Sequence, residues 1–252
     1  MKKILLIAFP AGVVAALGFW AFDCVNAPTG NLFGDASGLL LAAGRLAGLL
    51  AATGIMAQLL LVSRVKWLEP LFGLDRLSKA HNVSGLVIPF ALVLHPVLIT
   101  LHHAGRKGVS FMAQFGVILG WEDVPFAAAG AFLVLAAVVM SLPAARRRFS
   151  YETWHSSHLL LYAGLALVVG HQFELGGDIN GNAYFARTWY ALYIFTLATL
   201  LWGRALRPLW LYSRHGFIVE KIIPETTEVE SILITGRRLE ALPAEAGQFA
   251  LL

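Results

Sequence analysis

The sequence predicts an all-α membrane protein, a bundle of six transmembrane helices followed by a short β-rich tail. Three observations carry that reading. Hydrophobic residues make up 58% of the 252 positions and charged residues 13%, about half the charged share of a soluble domain. Six apolar runs are each about long enough to cross a bilayer core, which takes roughly 20 helical residues. Four histidines fall on two of those runs in matched pairs. So few charges cannot cover a water-soluble surface of this size, which excludes a disordered chain and an ordinary soluble enzyme. The net charge of +4 is spread over loops in a way that points to a bilayer as partner and not to nucleic acid.

The spans are expected at 4–22, 38–62, 82–101, 126–142, 155–173 and 186–206. Pro28, Gly30 and Gly34 break the first pair, and Arg64, Lys66, Glu69, Pro70, Arg76 and Lys79 break the second. Gly105 to Pro125, Pro143 to Trp154 and Glu174 to Phe185 supply the remaining breaks. Lys2 and Lys3 ahead of an apolar run resemble a signal peptide, with Val25-Asn26-Ala27 as a marginal cleavage site. The run is about 19 residues, beyond the ~7–15 of a signal core, so it is read as a span.

Orientation follows from Lys and Arg in short loops. With the N-terminus inside, the inner segments hold Lys2, Lys3, Arg64, Lys66, Arg76, Lys79, Arg146, Arg147 and Arg148; the outer loops hold Arg106, Lys107 and Arg187. Both termini are therefore expected in the cytoplasm, with the chain in a cell membrane, expected to be a bacterial inner membrane. The domain boundary is expected near residue 212. Residues 1–212 form the membrane domain. In 213–252, strands are expected at Phe217 to Ile223 and Glu228 to Thr235, with the start of a third at Gly247-Gln248-Phe249. Three strands alone would leave open edges, so the tail reads as the opening of a larger β-domain.

His81 and His95 lie on the third span, His158 and His171 on the fifth. Ionisable side chains at membrane depth are functional candidates by default. At ~1.5 Å per residue the two pairs span ~21 Å and ~20 Å, and both helices run outward. His81 is thus level with His158 near the inner face, and His95 with His171 near the outer face. Facing imidazoles across a bundle hold two haem irons, one above the other. Ligands ~20 Å apart on one helix cannot share a single ion. The only cysteine is Cys24, so neither a thiolate site nor covalent haem attachment is available, and two haems of b type are expected. On the helical wheel His95 lies about 40° from His81, but His171 lies about 140° from His158. A local change of winding, or a different approach direction for the two groups, is expected there.

His155, one turn before His158, is an alternative ligand. His102 and His103 are expected at the outer interface, and His215 in solvent. Arg45 is a cation inside the second apolar run. It either snorkels outward or meets a haem propionate or the acceptor site, and it is the expected catalytic residue.

On these residues the sequence resembles the ferric reductase and NADPH oxidase superfamily. The shared pattern is His81 and His95 with 13 residues between them, and His158 and His171 with 12. Trp154 and Tyr162 around His158 also fit. Gly247, Gln248 and Phe249 are similar to the start of a ferredoxin-reductase-type FAD barrel, though the family's Arg/His-Pro-Phe-Ser/Thr motif does not follow within these 252 residues. The resemblance implies that FAD and NAD(P)H in a cytosolic domain, in cis or in a separate reductase, feed electrons through both haems. It implies oxygen, reduced to superoxide, or ferric iron as the small-molecule acceptor outside. Arg45 matches an arginine of the oxidases' oxygen site, but position 99 is Ile where they carry a histidine, with His102 the nearest substitute. The expected activity is an NAD(P)H-oxidase-like or ferric-reductase-like oxidoreductase, of which this chain is the haem half and lacks the NAD(P)H site. The alternative is a haem-binding membrane subunit serving a separate protein partner. A transporter with histidine proton relays is the third reading, and no repeat symmetry supports it.

Overall fold

The computed structural model describes residues 2–27, 30–174, 179, 181–227 and 229–241. Six long helices dominate it: α1 (Lys2–Val25), α2 (Ala36–Leu61), α3 (Leu74–Lys107), α4 (Val124–Ser141), α5 (Tyr151–Glu174) and α6 (Ala183–Leu201). Each coincides with one expected span. Four of them, α1 to α4, contain stretches long and apolar enough to cross a membrane. The histidines and Gln172 lower the apolar character of α5, and Arg187 with its neighbouring Tyr and Trp residues lowers that of α6. Four candidate spans are therefore established by length and composition, against the six expected.

α3 is longer than its span. Its 34 residues reach about 51 Å against a hydrocarbon core of about 30 Å. A left-handed Gly108 (φ 65°) caps its C-terminal end. Pro89 and Pro96 lie inside it, so the carbonyls of Gly85 and Leu92 lose their amide partners. The break expected between residues 105 and 125 contains a helix, Phe111–Leu119, capped by the Ser110 hydroxyl on the Ala113 amide.

Small residues set the closest helix contacts, as they do where lipid removes the hydrophobic drive. Along α2, a Cβ added at Gly44, Gly48 or Gly54 would come within 3 Å of Ile99, His95 or Ile88 on α3. Between α4 and α5, Cβ atoms at Gly130 and Gly164 would each strike the other residue's carbonyl oxygen, at 2.5 and 3.0 Å. The buried core gathers Ala16, Leu49, Met56, Phe185, Trp189 and Leu192 from α1, α2 and α6.

A π-helical turn, Trp202–Leu206, follows α6. Gly203 lies against the Ser63 carbonyl, and Arg204 Nε donates to Val62 O at 2.8 Å, tying this turn to the end of α2. A last helix, Arg207–His215, leads into β1 (Ile218–Pro224) and β2 (Glu230–Thr235), an antiparallel pair with a bulge between Val219 and Lys221. Both expected strands are present within two residues of their predicted bounds, while the expected third falls outside the described residues. His215, expected in solvent, is buried: its Nδ1 pairs with Arg237 O at 2.9 Å and its ring stacks on Phe217. The hairpin returning beside the helix end covers it, a contact 22 residues away in sequence.

Candidate functional site

The structure brings the four histidines of α3 and α5 together as two facing pairs. The ring centroids of His81 and His158 are 6.2 Å apart, and those of His95 and His171 are 6.3 Å apart. The same pairs follow from helix rise alone. The 140° offset on α5 is met without any change of winding, because Tyr151–Glu174 is α-helical throughout. The side chains make up the difference: His171 turns back on its own helix, with Nδ1 2.6 Å from Val168 O.

The pair expected near the outer face, His95 and His171, is fixed through its Nδ1 atoms. His95 Nδ1 lies 2.8 Å from Gly44 O and His171 Nδ1 2.6 Å from Val168 O. A carbonyl only accepts, so each Nδ1 carries the proton and donates. Each Nε2 is then left with its lone pair. The pair expected near the inner face, His81 and His158, differs. His158 Nδ1 is 3.3 Å from Ser141 Oγ, and His81 Nδ1 is buried without a well-formed hydrogen bond. Gln58 Nε2 reaches the carbonyl of His81 at 3.1 Å and Ser84 Oγ at 2.8 Å, bracing that turn of α3 from α2.

The residues fit a haem at each level. A metal–imidazole bond of about 2.0–2.1 Å plus roughly 1.15 Å from nitrogen to ring centre, taken twice, would give about 6.3–6.5 Å. The two pairs, at 6.2 and 6.3 Å, stand at or just below the lower end of that range. The hydrogen bonds from Nδ1 to carbonyls or a hydroxyl are what metal-bound imidazole requires. Beside the outer pair lies a largely apolar cavity of about 530 Å³, within the usual range for a cofactor pocket. Phe115, Ile118 and Leu119 of the helix Phe111–Leu119 form part of its wall. Among the described residues no group of three or more His, Cys, Asp or Glu side chains gathers.

His155 does not join the inner pair; it is exposed and stacks on Tyr151 at 5.6 Å, with 9° between the planes. His102, expected at the interface, is buried, with Nδ1 2.7 Å from Ser37 O. His103 packs edge-on against it at 4.9 Å. Arg45 is half-buried and lines both the apolar cavity and a second, polar one of about 810 Å³ on its outer side, which His102, His103, Arg106 and Lys107 also line.

Four contributing residues escape a reading for titratable residues. Gly44 and Gly48 let α3 approach, and Gly44-Arg-Leu-Ala-Gly48 spells the small-xxx-small signature that would have found them. Gln172, next to His171, accepts from Trp189 Nε1 at 3.2 Å and Tyr193 OH at 2.8 Å, joining α5 to α6. Ser141 gives no sequence signal beyond being a polar residue at a helix end.

No curated protein and no solved structure matches the chain. Residues 47–169 match the family described as ferric reductase like transmembrane component. That stretch runs from α2 into α5 and includes His81, His95 and His158, with His171 two residues beyond it. Over residues 47–169 the chain is thus similar to a ferric reductase like transmembrane component, a match consistent with the membrane domain of the ferric reductase and NADPH oxidase superfamily.

Proposed function

We propose that this chain carries electrons across a cell membrane through two haems of b type. His81 and His158 hold the inner haem, and His95 and His171 the outer. The observation that carries the reading is the pair of centroid separations, 6.2 and 6.3 Å. Bound at these positions, haem iron supplies a one-electron couple at two depths about 21 Å apart along α3. The family match supports a general oxidoreductase role.

The chain's own residues bind, orient and insulate. Nδ1–H groups held on Gly44, Val168 and Ser141 keep three of the four Nε2 atoms ready as ligands. The apolar cavity keeps water from the outer pair, and Arg45 stands at its boundary with the polar outer cavity. A guanidinium there serves either a propionate, bidentately, or a reduced acceptor.

The bundle spans six times, with 1–212 as membrane domain and both termini in the cytoplasm, supported by the Lys and Arg distribution. Residues 213–252 begin a cytosolic FAD-binding barrel. Exposed Val219, Ile222, Ile232 and Ile234 on the β1–β2 hairpin are apolar surface that such a barrel would cover. Electrons enter from NAD(P)H by way of FAD, in cis or from a separate flavoprotein, and leave to oxygen or ferric iron. The test is a pyridine haemochrome count on the purified protein. Two haems b per chain, with sharp low-spin reduced bands, is the expected result; one haem or none overturns it.

A further inference from the structure

We propose that Ser141 is a positioning residue that fixes the tautomer of His158. The proposal rests on the haem reading above only for its redox consequence. Ser141 Oγ has three neighbours: Ala137 O at 2.8 Å, Trp154 Nε1 at 3.2 Å and His158 Nδ1 at 3.3 Å. A hydroxyl has one proton and two lone pairs. The Ala137 carbonyl only accepts, so it takes the proton, in the back-bond to i−4 familiar from helical serines. The indole N–H only donates, so it takes one lone pair. What remains for His158 is the second lone pair. Nδ1 must therefore carry the hydrogen, and Nε2 is left bare.

The opposite tautomer would set two lone pairs against each other at 3.3 Å in a half-buried place. Trp154 restrains the same ring a second way, stacking on it at 5.3 Å with 29° between the planes. The Arg146 guanidinium lies over the Trp154 ring, 4.7 Å from its centre. Ser141 from the end of α4 and Trp154 of α5 thus converge on His158, with Arg146 backing the indole. The facing ligand has no such help, because His81 Nδ1 lacks a well-formed hydrogen bond. At the inner level Ser141 supplies the one well-placed Nδ1 acceptor among the described residues. A hydrogen bond from Nδ1 raises the basicity of a ligating imidazole, which favours the oxidised metal.

Ser141→Ala and Ser141→Thr, each in the full chain, form the test. The alanine variant keeps the fold, since losing a back-bond does not break a helix. Its inner haem midpoint moves to more positive potential while the outer one stays, and the inner haem's low-spin EPR signal shifts. Threonine restores the hydroxyl and both values. A role confined to helix packing moves neither, so unmoved inner values in Ser141→Ala, or no rescue by threonine, overturn the proposal. A parent protein that purifies with no haem sinks the haem reading alone. Ser141 is then judged on that preparation by the side-chain ¹⁵N resonances of His158. A proton on Nδ1 in the parent, shared between both nitrogens in Ser141→Ala, upholds the role; a proton on Nε2 in the parent overturns it.

Discussion

A Cβ on Gly48 would stand 2.8 Å from Nδ1 of His95, so the imidazole of α3 rests on bare backbone of α2. The place where that ring donates, Gly44 O, is one helical turn away on the same helix. α2 therefore acts as both the shelf and the hydrogen-bond partner of His95.

Gly48→Ala is expected to push His95 off this shelf and cost the outer haem while sparing the inner. The haem count should fall from two toward one per chain, with one of two redox waves lost. A full count with unchanged spectra would show that the shelf yields.

The exposed stack of His155 on Tyr151 sets it apart from His158. His155→Ala should retain both haems, whereas His158→Ala should lose the inner one. The reverse outcome in the reduced spectra would move the ligand assignment by one turn.

Arg45 borders both cavities, and its positive charge favours an added electron nearby. Arg45→Ala should lower the outer haem's midpoint more than the inner one's and slow reoxidation by small acceptors. Redox titration resolving the two haems decides this. Equal potentials in variant and parent would confine Arg45 to the interface.

Gln172→Leu should destabilise the fold, because it strands two buried donors, Trp189 Nε1 and Tyr193 OH, at about 1–3 kcal/mol each. Tyr193→Phe removes a donor along with its need and should cost less, about 1 kcal/mol. Thermal unfolding in detergent should rank the parent above Tyr193→Phe and Tyr193→Phe above Gln172→Leu. An unchanged midpoint for Gln172→Leu would remove this link from the account.

The helices were legible because apolar length survives any packing, and the histidine pairing because helix rise is a constant. The azimuth of His171 was not legible: a wheel fixes Cβ directions, while this side chain folds back onto Val168 O. His102 and His215 read as peripheral because their partners, Ser37 and Arg237, lie 65 and 22 residues away. The helix Phe111–Leu119 falls inside an expected break, since nine residues are too few to register as a span. Ser141 had no signature because its role depends on Trp154 and His158 converging from another helix.

The glycine contacts have a dynamic consequence. Between α4 and α5, Gly130 and Gly164 bring backbone onto backbone, and between α2 and α3 the bare backbone at Gly44 and Gly48 lies directly against the Ile99 and His95 side chains. A layer of long side chains can hop between rotamers when charge appears nearby; a backbone contact has few such choices. The imidazoles carried on α3 and α5 are thus mounted on a stiff frame. A stiff frame has little reorganisation energy, so on the proposed reading an electron arriving between the rings would find the surroundings already arranged for it.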